Sequence, residues 1–330
     1  MTSSTSSPVH APRRSAKQRR RARLAVTIAV LVILAALGWI ADLAYHSIFK
    51  KHVVASSCQV VGLSTGTTYA MDPSQLLNAS TIADVAMQRA LPQRAVLVAL
   101  ATALQESKLR NLDYGDRDSL GLFQQRPSQG WGSPAQVMTP TYAAGKFYDA
   151  LVKVPNWQSL PVTKAADAVQ RSGFPDAYKD WEPRATALSA ALTGTTSGQL
   201  TCRLSSPGLR PNPPASNSTA SATAILDGAA AAITHDIGSD LQITSPAVTP
   251  VDAKRTTIVL SGLAAVSSGH DDVAKHRTAT VAAWALAHAA THGITSVVIG
   301  DQEWRANRGD WRTTKQPAAD GSVVITISMR

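Results

Sequence analysis

Glu106, Asp116, Ser119 and Gln124 are the residues whose types and spacing suit a common chemistry. Glu106 closes a run from Ala95 to Leu104 that is apolar throughout except at Thr102. Such a run predicts a helix buried on all faces, with Pro92 in the first turn, where its missing N–H costs nothing. A carboxyl group carried from a buried helix to the edge of a cleft is partly desolvated. Its protonated form is favoured, and it can deliver a proton near neutral pH. The same position equally suits a solvated residue at a helix C-terminus. Beyond it lies a polar loop, Asn111 to Ser119, carrying Asp113, Asp116 and Asp118, and then Gly121, Leu122, Phe123, Gln124, Gln125, Arg126 and Pro127. An acid and a second carboxylate one loop away can move protons, and a side-chain amide can both donate and accept hydrogen bonds.

The run from Glu106 to Pro127 resembles the lysozyme-like superfamily, in particular soluble lytic transglycosylase-like and goose-type lysozyme domains. The resemblance rests on Glu106 followed by Ser107 at a helix end, and on Ser119, Gly121, Leu122, Phe123, Gln124 and Pro127 after the loop. Gly115 and Asp116 are similar to the Gly-Asp pair of goose-type enzymes. The resemblance implies an all-α lysozyme-like catalytic domain over residues 81–202, acting on the MurNAc-GlcNAc β-1,4 bond of peptidoglycan. Glu106 would be the general acid and then the base, with Ser119, Gln124 and Gln170 holding the sugar and Tyr178 either holding the sugar or orienting Glu106. Gln170 and Tyr178 stand where the family completes its cleft, although the transglycosylase Ala-Tyr-Asn pattern is absent here. No metal or organic cofactor is needed.

Three readings stay open. A lytic transglycosylase manages with one Glu and lets the sugar's own 6-hydroxyl close a 1,6-anhydro ring. A muramidase needs a second carboxylate to activate water, and Asp116 is the candidate. A non-catalytic glycan-binding module, or a structural subunit of an envelope or secretion complex, would keep the shape without turnover.

The elements that must position these residues follow from the rest of the chain, which has 330 residues and a formal charge of +10. Most of that charge sits in residues 1–23, through Arg13, Arg14, Lys17, Arg19, Arg20, Arg21 and Arg23. Leu24 to Ala44 is almost wholly apolar and, as a helix at about 1.5 Å per residue, matches one hydrocarbon core. A basic tail before such a segment predicts a single-pass cell-membrane protein, N-terminus cytoplasmic and catalytic domain extracytoplasmic, and argues against nucleic acid as partner. A cleaved signal peptide is the rival, and either exports the remainder. Residues 45–80 read as a connector, and Ser80 or Thr81 as the cap of a helix ending at Leu91. Cys58 and Cys202 bracket the lysozyme-like region, and outside the membrane they are expected to form a disulfide.

Residues 203–222 are rich in Ser, Pro and Asn and read as a linker. Residues 223–330 predict a small α+β domain of undefined role, with a long helix from Asp271 to His292 and several short apolar strands. The chain as a whole is therefore expected to be mainly α. Trp304 and Trp311, with Arg305, Arg308 and Arg312, either pack in that domain or present a surface to glycan or an envelope protein. His288 and His292 lie four apart on the long helix. Without the Glu of the zinc-protease motif or an evident third ligand, they read as a packed or solvated face. The sequence shows no phosphate-binding Gly-rich loop, nucleophile elbow or internal repeat.

Overall fold

Two antiparallel sheets frame a cluster of helices in the computed structural model, which describes residues 55–330 apart from 175, 210–220, 244–246, 253, 264–270 and 330. In chain order the elements are β1 (Ser57–Val61), β2 (Thr68–Met71), α1 (Pro73–Gln88), α2 (Gln93–Ser107), α3 (Pro134–Val137), α4 (Pro140–Leu151), α5 (Val162–Gln170) and α6 (Glu182–Leu192). There follow β3 (Leu200–Arg203), α7 (Ala222–Leu241), β4 (Ala247–Asp252), β5 (Arg255–Leu260), α8 (Asp271–His292), β6 (Ile294–Ile299), β7 (Gln302–Arg305), β8 (Trp311–Thr313) and β9 (Val323–Ser328).

The expectation of a mainly α chain with an all-α lysozyme-like domain is corrected by these sheets. Two strands come from the stretch read as a connector, and β3 returns to pair with the first of them, in the order β2-β1-β3. The larger sheet has six strands in the order β4-β5-β9-β6-β7-β8. Short strands are expected in residues 223–330, but β1, β2 and β3 are not, for a physical reason: strands of four or five residues span only one or two alternations, too few to stand out from apolar helix faces. Along β9 the burial alternates strictly, with Val323, Ile325 and Ile327 inward. That face receives α7 and α8.

The membrane-anchored, single-pass localisation also requires correction. Among the described residues no helix is long and apolar enough to cross a membrane, and the segment Leu24 to Ala44 lies outside them. The structure gives the anchor no support.

α2 is the axis of the helical part. Ala95, Val96, Val98 to Leu104 and Ser107 are buried, and Thr102 satisfies its hydroxyl on the Val98 carbonyl at 2.8 Å. Pro92 stands just before the helix as its cap rather than inside the first turn. α1 starts at Pro73 behind Asp72, not at Ser80 or Thr81. Pro73 is preorganised for a first helical position, and Gln75 reaches back to accept the Asp72 N–H at 2.8 Å.

Cys58 and Cys202 form a disulfide, facing one another across β1 and β3 with Cα atoms 4.0 Å apart. Closing a separation of 144 residues removes about 5 kcal/mol of loop entropy from the unfolded chain in the chain-entropy model. The larger sheet then abuts this corner. The Trp304 indole is fully buried and donates to the Cys202 carbonyl at 2.9 Å, and Trp311 donates to the Leu200 carbonyl at 2.9 Å. Both tryptophans therefore pack, and they fasten the hairpin β7–β8 to the disulfide-bearing sheet.

Candidate functional site

α2 ends abruptly, and that ending places Glu106. Lys108 and Leu109 both adopt left-handed backbone angles (φ 56° and 61°), and the Leu109 N–H returns to the Ala103 carbonyl at 3.1 Å. Such a turn leaves carbonyls that need donors. α1 supplies them: Gln75 Nε2 donates to the Lys108 carbonyl at 2.6 Å and Asn78 Nδ2 to the Leu109 carbonyl at 2.8 Å. Ser107 Oγ reaches in the opposite direction, to the Leu122 carbonyl at 2.7 Å. The helix end, the helix beneath it and the following loop are thus joined within three residues of Glu106.

The loop closes as a small bridged turn. Leu120 and Gln125 exchange two backbone hydrogen bonds of 3.0 Å, and the Gly121 N–H donates to the Leu112 carbonyl at 2.7 Å. Gly121 has φ +78°, and a Cβ there would lie 2.4 Å from the Val137 carbonyl oxygen, so only glycine fits. Leu122 and Phe123 are fully buried, and Phe123 stacks on Phe147 with ring centroids 4.7 Å apart. Gln124, next in line, is itself left-handed at φ 47° and donates its amide to the Gly121 and Tyr114 carbonyls at 3.2 and 3.3 Å. Its Oε1 lies against Gly115, where an added Cβ would approach to 1.9 Å.

Two of the three loop acids differ sharply in their surroundings. Asp118 braces the turn, accepting from the Ser128 N–H (2.8 Å), Arg126 Nε (2.9 Å) and Ser128 Oγ (3.0 Å). The Ser128 N–H first, then Arg126, holds its carboxyl well below the usual carboxylate range. Asp116 faces out, with 91% of its side chain exposed and Arg117 no nearer than 4.0 Å. Its side chain is available to a ligand.

A polar cleft of about 330 Å³ opens between this loop and the end of α5. Glu106, Asp116, Ser119, Gln124 and Gln170 all line it, so the structure brings together five of the residues singled out by sequence. Glu106 Oε1 accepts the Tyr178 hydroxyl at 2.8 Å, and among the described residues no protein group bonds Oε2. Ser119 is nearly buried, and no described protein group bonds its hydroxyl. Gln170 Nε2 donates to the Phe123 carbonyl at 2.7 Å, which ties α5 to the residue before Gln124.

Tyr178 is fully buried in the 3₁₀ turn Ala177–Trp181 and its hydroxyl reaches the Glu106 carboxylate. Burial, followed by the adjacent Glu106, pushes its phenol well above the ordinary value, so it remains a neutral donor. Its observed contact is with Glu106.

Gln129, Trp131, Arg171 and Ser172 also line the cleft. Trp131 carried a signal as a tryptophan shortly after the motif. Arg171 and Ser172 carried none, because they are brought in by the left-handed end of α5 (Arg171 φ 51°). Two exposed rings flank the opening in sequence: Tyr114, 68% exposed, precedes Gly115, and Phe174, 80% exposed, follows Ser172 by two positions.

No protein-family model matches this chain, and no curated protein does.

Proposed function

We propose that the chain is a peptidoglycan-cleaving enzyme of lysozyme-like chemistry, acting at the MurNAc-GlcNAc β-1,4 bond in the manner of a lytic transglycosylase. The observation that carries this reading is a single carboxylate at the end of a buried helix, one oxygen fixed by Tyr178 and the other open to a polar cleft. Protonated Glu106 gives its proton to the glycosidic oxygen as the C1–O bond breaks, and positive charge spreads over C1 and the ring oxygen. The resulting carboxylate then takes the proton of the 6-hydroxyl of the same sugar, whose oxygen closes on C1. Proton count balances, no water is consumed, and the product is a 1,6-anhydro end.

Support for glycan as substrate comes from the lining. Ser119, Gln124, Gln129 and Gln170 offer neutral donors and acceptors suited to hydroxyl and N-acetyl groups. Tyr114 and Phe174, close in sequence to the cleft residues Asp116 and Ser172, expose aromatic rings, of the kind that mark binding surfaces.

One observation favours a second reading. Asp116 shares the cleft with Glu106 and, among the described residues, pairs only loosely with Arg117 at 4.0 Å, which suits a base that activates water in a muramidase. Purified sacculi treated with wild-type chain, Glu106→Gln and Asp116→Asn separate the cases. Release abolished by Glu106→Gln alone supports the transglycosylase. Loss with either substitution supports the muramidase, and release by all three chains contradicts both.

A further inference from the structure

Asp84 (4% exposed) and His288 (8% exposed) are the only buried carboxylate and the only buried imidazole among the described residues, and they lie together. Asp84 comes from α1 and His288 from α8. Asp240, at the end of α7, completes the group, and one ligating atom from each of the three lies within 4.8 Å of the other two. A third partner for His288 is not legible in the sequence, because Asp84 and Asp240 come from two other helices, far away in the chain.

Each of the three side chains is aimed by an outer partner. Ser80 Oγ donates to Asp84 Oδ2 at 3.3 Å, and Trp284 Nε1 donates to Asp240 Oδ2 at 3.0 Å. His288 Nδ1 meets the Trp284 carbonyl at 2.9 Å. A carbonyl only accepts, so Nδ1 carries the ring proton and Nε2 keeps its lone pair. A histidine whose far nitrogen donates to a carbonyl, and carboxylates that are themselves hydrogen-bonded, form the outer shell characteristic of metal ligands. The Trp284 ring stacks on His288 with centroids 4.0 Å apart and fixes its plane.

Charge points the same way. Among the described residues no lysine or arginine pairs with Asp84 or Asp240. Two carboxylates, a neutral imidazole and a divalent cation sum to zero, which removes the cost of two like charges in the interior.

We propose that Asp84, Asp240 and His288 bind a divalent transition-metal ion, Zn²⁺ in first place, that clamps α1 to α7 and α8. Two carboxylate oxygens and one imidazole nitrogen are ordinary Zn²⁺ ligands. Bonds of about 2.0–2.1 Å set tetrahedral ligands roughly 3.3 Å apart, a contraction that carboxylate rotation can supply. The site lies apart from the polar cleft, and its role would be structural: it links the helical part to the helices covering the larger sheet. It does not depend on the glycan reading.

The test uses the full chain, stripped with chelator and titrated with Zn²⁺ while thermal stability and stoichiometry are followed, and with Co²⁺ for its visible spectrum. The expected result is one variant-sensitive equivalent of Zn²⁺, a rise in Tm on binding, and Co²⁺ bands of a nitrogen-oxygen site. Asp84→Asn, Asp240→Asn and His288→Gln should each weaken Zn²⁺ by more than the roughly 10- to 100-fold that loss of an outer-shell partner costs. Asp240 is half-buried, so Asp240→Asn keeps the test readable if Asp84→Asn fails to fold. Zn²⁺ bound equally by wild type and variants would overturn the proposal. So would a chain with no Zn²⁺-dependent Tm whose Asp84→Asn variant is the more stable, the behaviour of two acids sharing a proton.

Discussion

The Tyr178 hydroxyl donates to Glu106 Oε1 at 2.8 Å from a fully buried ring, so one oxygen of the cleft carboxylate is fixed while, among the described residues, the other has no protein partner. A hydrogen bond to a charged group is worth about 1.5–3 kcal/mol. Tyr178→Phe keeps the buried ring and removes only this bond. Wall-cleaving kcat should fall about 10- to 100-fold with little change in KM, measured by reducing-end or muropeptide release. A change in KM alone would return Tyr178 to a substrate-binding role.

Gly115 holds the space that Gln124 needs. A Cβ at Gly115 would come within 1.9 Å of Gln124 Oε1 and 2.6 Å of the Ser119 backbone oxygen. The amide can swing away, but the backbone oxygen must shift with its strand of loop. Gly115→Ala is expected to cost about 1–3 kcal/mol and to weaken glycan binding, read by urea unfolding and sacculus pull-down. Gln124→Ala removes the amide and its two carbonyl contacts without the backbone clash, so it should reproduce the binding loss at a smaller stability cost.

Gln75 and Asn78 act on the cleft from beneath it. Their amides satisfy the carbonyls of Lys108 and Leu109, immediately after Glu106 and Ser107. Either residue changed to Ala leaves a part-buried acceptor without its donor, at roughly 1–3 kcal/mol. Urea unfolding of each variant should show that loss, with a fall in kcat although neither residue lines the cleft.

Asp118 sets an acid limit on the loop. Its carboxyl is held below the ordinary value, so its contribution is complete above about pH 4, the unfolded carboxylate value. It is lost as pH falls through the lower folded value. Asp118→Asn should therefore lower Tm at pH 7, with the gap from wild type closing on acidification below pH 4. A gap independent of pH would mean that shape rather than charge braces the turn.

How much of this could be read from sequence differs from element to element. The apolar run from Ala95 to Leu104 has one physical solution, a buried helix, and α2 is that helix. Its start and that of α1 were misjudged by one to several residues, because Asp72 with Pro73, and Pro92 as a cap, compete with equally good local signals at Ser80 and Thr81. β1, β2 and β3 were invisible: each is four or five residues long, and pairing across the chain, not local pattern, makes them strands. The disulfide was accessible because two cysteines permit one intramolecular pairing. In the cleft, Glu106, Asp116, Ser119 and Gln124 lie within nineteen consecutive residues of sequence, so their meeting was legible. Tyr178 was named, but its contact with the carboxylate depends on the packing of a 3₁₀ turn that no periodicity announces. Arg171 and Ser172 reach the cleft through one left-handed residue, and Asp84, Asp240 and His288 meet only through tertiary contact.

The most direct measurement is mass spectrometry of muropeptides released from purified sacculi by wild-type chain and by Glu106→Gln. The account predicts 1,6-anhydro ends from wild type and none from the variant. Products that persist unchanged with Glu106→Gln, or sacculi left intact by both chains, would contradict it.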